Sequence, residues 1–145
     1  MPVSLKPITV TAATVSLTRN VHAGAVVLLD RAAGVTVTLP AATGTGDSYE
    51  VFVKTAITSN NAIIQVANAT DTMAGSVSIS SLTTGAGTHE SAGGTDDTIT
   101  MNGTTTGGAA GSYVKITDVA SGLWQVNGRL CGSGTLASSL SAAVS

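Results

Sequence analysis

An all-β fold is predicted for this chain, arranged as an antiparallel sandwich or barrel. Residues 35–39 (VTVTL) alternate between apolar and threonine side chains, which is the period of a strand with one buried face. Further short apolar segments follow at intervals of roughly ten residues, separated by Gly, Asn and Ser residues that favour turns. Only 10% of the residues are charged, and no segment has a convincing helical period.

Three regions are predicted along the 145 residues. Residues 1–23 contain Pro2 and Pro7 and lack strong periodicity, so we expect an extended N-terminal arm that is able to add an edge strand. Residues 24–128 carry the strand pattern and form the β domain. Residues 129–145 are rich in Gly, Ser and Ala, which predicts a flexible C-terminal tail.

Eight strands are expected within the β domain. Pro40 ends the second strand, and residues 59–61 (SNN) predict a hairpin turn after the third. Residues 84–94 are Gly-rich and polar, and we expect a mobile surface loop there. The strands are predicted at residues 26–29, 35–39, 49–55, 63–67, 77–82, 97–101, 113–119 and 123–127.

The last two strands form a predicted hairpin through residues 120–122 (ASG). Alternation along these strands places Val114, Ile116 and Trp124 in the core. Asn102 and Gly103 form a two-residue hairpin signal, although the Thr-rich and Gly-rich residues that follow fit a longer loop equally well.

Charge and hydropathy exclude two classes of partner. The net charge is −2 and the six basic residues are scattered, so the basic stripe that a nucleic-acid partner requires is not found. The longest apolar run, residues 25–29, is far shorter than the roughly 20 residues that span a bilayer. Neither a nucleic acid nor a membrane is therefore an expected partner.

The low aromatic content predicts a homo-oligomer. Only 3% of the residues are aromatic, so the core relies on aliphatic side chains, each worth about 1.5–3 kcal/mol when fully buried. Ordering the backbone costs about 1–2 kcal/mol per residue, which leaves a thin margin for a monomer. Burial of surface between subunits would widen that margin.

Two clusters of polar residues could in principle hold a cation. His89 and Glu90 precede Asp96 and Asp97 by a few residues, but the spacing fits no ligand pattern, and solvated loop charges are the preferred interpretation. Residues 68–72 (NATDT) lack the alternating acidic ligands of a calcium loop, so we interpret them as a turn. No metal site and no cofactor are expected.

Catalytic patterns are also not found. His22 and His89 are the only histidines, and His22, which lies in an apolar stretch, is expected to be structural. The single Cys131 follows the last predicted strand in a Gly-rich segment, and we expect it to be inert. Residues 44–47 (GTGD) superficially suggest a phosphate loop but lead into a strand rather than a helix. The chain is not expected to be an enzyme.

Two Asn-x-Thr sequences, at Asn68 and Asn102, match the glycosylation acceptor pattern. Without a secretion signal in the sequence, this match has little weight.

Four segments resemble small virion surface proteins of tailed bacteriophages. They are residues 29–47 (LDRAAGVTVTLPAATGTGD), 64–71 (IQVANATD), 97–103 (DTITMNG) and 119–126 (VASGLWQV). The resemblance implies a capsid decoration protein, β-rich and trimeric, that binds the outer surface of the head and bridges neighbouring major capsid subunits. It also implies that the N-terminal arm could complete a sheet on the capsid.

The leading hypothesis is therefore a structural protein of the virion, located on the outer capsid surface. Its expected partners are the major capsid protein and further copies of this chain, and the resemblance implies that this homo-oligomer is a trimer. The alternative is a receptor-binding or glycan-binding module of a head fibre or tail fibre, which would bind sugar through exposed loops such as residues 84–94.

Overall fold

Short strands and one helical turn make up residues 6–145, the part of the chain that the computed structural model describes. The elements are β1 Ile8–Val10, β2 Thr14–Ser16, α1 Arg19–His22, β3 Val26–Leu29, β4 Thr36–Thr38, β5 Ser48–Val53, β6 Ala62–Gln65, β7 Thr72–Ser81, β8 Gly87–Ala92, β9 Thr98–Met101, β10 Tyr113–Ala120, β11 Leu123–Gly132 and β12 Leu140–Ser141. They form a seven-stranded sheet in the order β1-β3-β5-β10-β11-β7-β8 and a five-stranded sheet in the order β12-β9-β6-β4-β2.

The first six strands alternate between the two sheets. β1, β3 and β5 pair in parallel in the larger sheet, and β2, β4 and β6 pair in parallel in the smaller one. Each consecutive pair of strands therefore forms one coil, and three coils stack as in a solenoid. We refer to residues 8–65 as the coiled half.

The second half of the chain is built mainly from antiparallel pairs. The hairpin β10–β11 lies between β5 and β7, so β10 continues the larger sheet from the coiled half. β8 extends that sheet beyond β7, while β9 and β12 extend the smaller sheet beyond β6. The pairing of β7 with β11 is the one parallel contact of this half among the strands described above.

One apolar core lies between the sheets. Along β5, the side chains of Tyr49, Val51 and Val53 are buried, and alternate residues of the smaller sheet, such as Val37 and Ile64, belong to the same cluster. Because successive side chains of a strand point to opposite faces, each sheet contributes one face to this core. The two sheets therefore stabilise each other.

The predictions for the core and for the all-β class are confirmed. Val114, Ile116 and Trp124 are buried, and β10 and β11 form the expected hairpin. Trp124 packs edge-on against Tyr49, with the ring centroids 5.8 Å apart. The prediction of an antiparallel arrangement is only partly right, since the coiled half is parallel. The reason is that short strands at regular intervals are expected both for antiparallel hairpins and for stacked parallel coils.

The prediction of an N-terminal arm separate from the β domain over residues 1–23 is not supported where the structure describes it, although the segment does supply the expected edge strand, in both sheets. β1 and β2 lie in this segment and pair in parallel with β3 and β4, and Leu17 is buried. Residues 1–5 of the predicted arm lie outside the described part of the chain. The weak periodicity of this segment reflects strands of only three residues, which are too short for alternation to be visible.

The prediction of a flexible tail over residues 129–145 is also wrong. β11 continues to Gly132, and β12 pairs with β9. The side chain of Asp97 binds the backbone N–H groups of Ala143 and Val144, with an oxygen–nitrogen distance of 2.8 Å to Ala143. The segment is held both by these hydrogen bonds and by Leu136, Leu140 and Val144, whose partly buried side chains pack against the core.

Residues 84–94 were expected to form a loop, but β8 occupies most of this segment. Gly75 to Ser80 of β7 pair with Gly87 to Ala92. Half-buried Thr88 and Glu90 alternate here with exposed Gly87, His89 and Ser91, because β8 is an edge strand that needs little apolar surface.

Two turn predictions are partly right. Asn60 and Asn61 form a turn with φ values of 54° and 52°, but it leads from one sheet to the other rather than closing a hairpin. The segment that follows Asn102 and Gly103 is a longer loop that ends at β10. A turn sequence therefore marks where the chain reverses or bends, but the pairing of the strands determines which elements the turn joins.

The N-terminal edge of the coiled half carries backbone groups that point away from the molecule. The carbonyl oxygens of Val10 and Ala13 accept hydrogen bonds from the neighbouring coil. Since backbone groups alternate in direction along a strand, those of Thr9, Thr14 and Ser16 point outward. No residue within 6–145 pairs with this edge.

Gly75 allows β7 to fit closely between its neighbours, and we predict that Gly75→Ala is strongly destabilising. Its φ is 137°, and a Cβ atom there would overlap the carbonyl oxygen of Val126 on β11. We expect a loss of about 2–3 kcal/mol in the free energy of unfolding, measured by urea denaturation. Gly46→Ala is the matched control: φ is 78° but the surrounding space is open, so only about 1 kcal/mol should be lost. Equal losses would contradict this assignment.

Candidate functional site

The carboxylates of this chain are engaged in internal contacts. All eight Asp and Glu side chains of the sequence have a partner among residues 6–145, and most of these partners are backbone N–H groups or hydroxyls. The contacts join Asp30 to Lys54 and Thr55, Asp47 to Arg19, Glu50 to Tyr113, Asp71 to Ala42, Glu90 to Ser139, Asp96 to Gly93, Asp97 to Ala143 and Val144, and Asp118 to Thr43, Gly44 and Thr45. Their main role is to hold loops in place.

Asp118 makes the most extensive of these contacts. Its two oxygens accept hydrogen bonds from the backbone N–H groups of Thr43, Gly44 and Thr45 at 3.1, 2.7 and 3.2 Å, and from the Thr45 hydroxyl at 2.9 Å. Burial alone would raise the pKa of Asp118, but these hydrogen bonds together outweigh it and lower the pKa below its usual value. The GTGD segment thus does bind an anion, and that anion belongs to the chain itself.

Two Asn-x-Thr sequences form hydrogen-bonded turns. The Asn68 side-chain oxygen accepts bonds from the backbone N–H groups of Thr70 and Asp71, each at 3.0 Å, which confirms the predicted turn. The Asn102 side-chain oxygen binds the N–H of Thr104 at 2.9 Å in the same way. Asn and Thr at this spacing satisfy backbone donors locally, which accounts for their presence in both loops.

The four residues considered for a metal site are directed to different contacts. His89 is exposed on β8, whereas Glu90 accepts hydrogen bonds from Ser139, at 2.9 Å from its backbone nitrogen. Asp96 accepts a bond from Gly93, and Asp97 holds the C-terminal segment. Within residues 6–145, no three His, Cys, Asp or Glu side chains converge in a way that could hold a metal ion.

His22 and Cys131 have structural surroundings. His22 is buried, and its Nδ1 atom accepts a hydrogen bond from the backbone N–H of Thr18 at 2.9 Å. Cys131 lies in β11 rather than in a tail, and its backbone N–H donates to the Ser112 hydroxyl at 2.9 Å. Its thiol is half-buried and free.

The outer face of the seven-stranded sheet carries a row of large side chains in register. Leu28 lies opposite Phe52, Phe52 opposite Tyr113, and Tyr113 opposite Arg129 on four neighbouring strands. We call these four residues the aromatic row. The first three are half-buried and Arg129 is exposed, while their sequence neighbours point into the core. A continuous strip of apolar and aromatic surface therefore ends at a guanidinium group.

The polar groups around the aromatic row are partly fixed. The Tyr113 hydroxyl donates a hydrogen bond to the Glu50 carboxylate. Burial raises the pKa of Tyr113 to about 12, and the contact with Glu50 acts in the same direction, so the phenol stays protonated and the contact persists near neutral pH. Lys115 and Arg129 are exposed, and neither forms an ion pair with a residue in the range 6–145. Both cations are therefore available to an external group.

Sequence reasoning did not find the aromatic row. Its members come from four strands, and only the register of the sheet aligns them. The available signal was the alternation in residues 49–55, which places Phe52 on the face opposite to the buried Val51 and Val53. That alternation indicates an outward aromatic residue but not its neighbours.

Comparison with known proteins gives no assignment: the chain matches no protein family, no curated protein and no solved structure. In the part of the chain that is described, no helix has the length and apolar character needed to cross a membrane. The function is therefore inferred from the surface and its chemistry.

The Asp118 contacts predict a loss of stability in acid. A folded-state pKa below the ordinary value of about 3.9 means that ionised Asp118 stabilises the fold above that pH, and that this contribution disappears as the pH falls through the folded-state pKa. We expect Asp118→Asn to cost about 1–3 kcal/mol at pH 7 and to flatten the decline of stability below about pH 4, as measured by thermal unfolding.

Asp47→Asn is the matched control for this substitution. It removes a contact with the largely exposed Arg19, so we expect a cost below about 1 kcal/mol. An Asp118→Asn variant with the stability and the acid response of the wild type would show that the loop does not depend on this carboxylate.

Proposed function

We propose that this chain is a structural protein of the tailed-bacteriophage virion, which decorates the outer capsid surface and bridges neighbouring major capsid subunits. The aromatic row is the observation that carries the proposal. Leu28, Phe52, Tyr113 and Arg129 form a continuous surface strip of the composition that is enriched at the centres of protein interfaces. The resemblance of four sequence segments to phage decoration proteins supports the same function.

The aromatic row suits binding because it is ordered before a partner arrives. Its side chains project from paired strands, and the Tyr113 hydroxyl is already held by Glu50. Binding through such a surface loses little side-chain and backbone entropy, and the smaller entropic cost increases the affinity. Tyr and Arg are also the residue types that most often dominate binding energy at interfaces.

The available cations give this surface a preference for acidic partners. Lys115 and Arg129 flank the apolar strip without an internal ion pair, whereas the carboxylates of the chain are engaged in contacts of their own. An acidic patch on the major capsid protein would complement this arrangement and increase the association rate. In this proposal the chain binds and bridges subunits and performs no catalysis.

Oligomerisation would make the binding stronger without stronger individual contacts. If three copies associate, as the resemblance implies, several aromatic rows engage a symmetric lattice at once. Linked binding events raise the overall affinity through effective concentration, so each contact can be modest. The seven-stranded sheet would then serve as the bridging surface between subunits.

Co-sedimentation with expanded phage heads that lack the protein tests this proposal. We expect the wild-type chain to sediment with the heads and Arg129→Glu to bind about tenfold more weakly, because one end of the aromatic row would carry the wrong charge. Lys6→Glu is the matched control: Lys6 is exposed and the change in net charge is identical, but the residue lies outside the aromatic row.

The outcomes of this experiment are distinct. Equal loss of binding in both variants would show that net charge, not the aromatic row, governs binding. Failure of the wild-type chain to bind heads at all would overturn the decoration function itself.

A further inference from the structure

A cavity of about 290 Å³ opens at one corner of the coiled half. Its walls come from the three connections that lead from the larger to the smaller sheet, namely β1 to β2, β3 to β4 and β5 to β6. The lining includes Ala13 and Thr14 from the first connection, Arg31 and Thr36 from the second, and Asn60 from the third. Its volume is near the lower end of the range for small-ligand pockets, about 300–1,000 Å³.

Arg31 is held in the cavity wall by backbone carbonyl groups. Its Nη1 atom donates to the carbonyl oxygens of Ala33 at 3.1 Å and Gly34 at 2.6 Å. The Nε and Nη2 atoms have no hydrogen-bond acceptor among residues 6–145. These two atoms form the side of a guanidinium group that binds a carboxylate with two parallel hydrogen bonds.

No nearby carboxylate neutralises Arg31 by direct contact. The adjacent Asp30 accepts hydrogen bonds from Lys54, at 2.7 Å, and from the Thr55 hydroxyl. Neither of the two ion pairs found in residues 6–145 includes Arg31. The cavity therefore contains a fixed positive group whose remaining donors are free for an anion.

The backbone beside the cavity is closely packed. Asn60 has a left-handed conformation, with φ of 54°, and Gly34 has φ of 85°. A Cβ atom at position 34 would overlap the carbonyl oxygen of Asn61, so only glycine allows the second and third coils to approach this closely. The spacing between Arg31 and Asn60 is consequently set by the stacking of the coils.

We propose that this cavity binds a small carboxylate-bearing ligand, with Arg31 making two hydrogen bonds to the carboxylate. The Asn60 amide and the hydroxyls of Thr14 and Thr36 supply further polar groups of the kind that bind sugar hydroxyls. A sugar acid or an acidic peptide side chain would each provide the carboxylate. This site is separate from the aromatic row, and the proposal does not depend on capsid binding.

Titration of the full chain followed by ¹⁵N–¹H NMR tests the proposal. The probes are sodium glucuronate, sodium acetate and glucose. We expect glucuronate to shift the amide signals of Ala33, Gly34 and Thr36 with a millimolar Kd, and glucose to leave them unchanged. Similar affinities for glucuronate and acetate would support a site for carboxylates in general, such as acidic peptide side chains. Tighter binding of glucuronate would support a sugar acid.

Two variants separate binding from folding. Arg31→Lys keeps the charge but loses the paired donors, and we expect glucuronate binding to weaken at least fivefold. Ala13→Phe fills the cavity and leaves the Arg31 contacts intact, so it should abolish binding while the other amide signals stay in place. Ala110→Phe, at an exposed position outside the cavity, is the control and should bind normally.

Three results would overturn the proposal. They are the absence of glucuronate-dependent shifts in the wild-type chain, equal shifts in Ala13→Phe, and shifts that appear with glucose to the same extent.

Discussion

The shared apolar core between the two sheets is the constraint on which the rest of the molecule depends. The strands of the coiled half are three to six residues long, too short for their own hydrogen bonds to stabilise them in water. Each strand persists because alternate side chains, such as Val37 in one sheet and Val51 in the other, are buried in the same cluster. The outer faces are then free to carry threonine, serine and the few exposed cations.

The scarcity of charge gives the carboxylates an unusual role. In most proteins Asp and Glu are largely solvated surface residues, but here they hold loops that have little apolar surface of their own. Asp97 and Asp118 each hold such a segment through several hydrogen bonds to backbone N–H groups. At the aromatic row, the Glu50 carboxylate holds the Tyr113 hydroxyl in the same way.

The sequence indicated where strands occur better than it indicated how they pair. Alternation predicted β4, β5, β10 and β11 because these strands have one buried and one exposed face. It did not reveal β1, β2 and β12, which have two or three residues, or the edge strand β8 (GTHESA), whose only apolar side chain is Ala92. Parallel stacking was not predictable because the spacing of the strands does not specify their partners.

The candidate sites depend on contacts that are distant in sequence. Asp118 binds residues more than 70 positions earlier, and the Arg31 cavity exists only because three connections stack at one corner. A pattern read along the chain identified the Gly-rich segment 44–47 as a loop before a strand, which is correct, but not the carboxylate that occupies it.

The outward-pointing backbone groups of Thr9, Thr14 and Ser16 have a consequence for how this architecture can vary. They present the same hydrogen-bonding pattern that each coil offers to the next, so the edge is a template for one more repeat. Duplication of a coil would lengthen the molecule along this axis while the hairpin-built half stays unchanged. The length of the molecule along the coil axis can thus change without altering the sheet surfaces that run beside it.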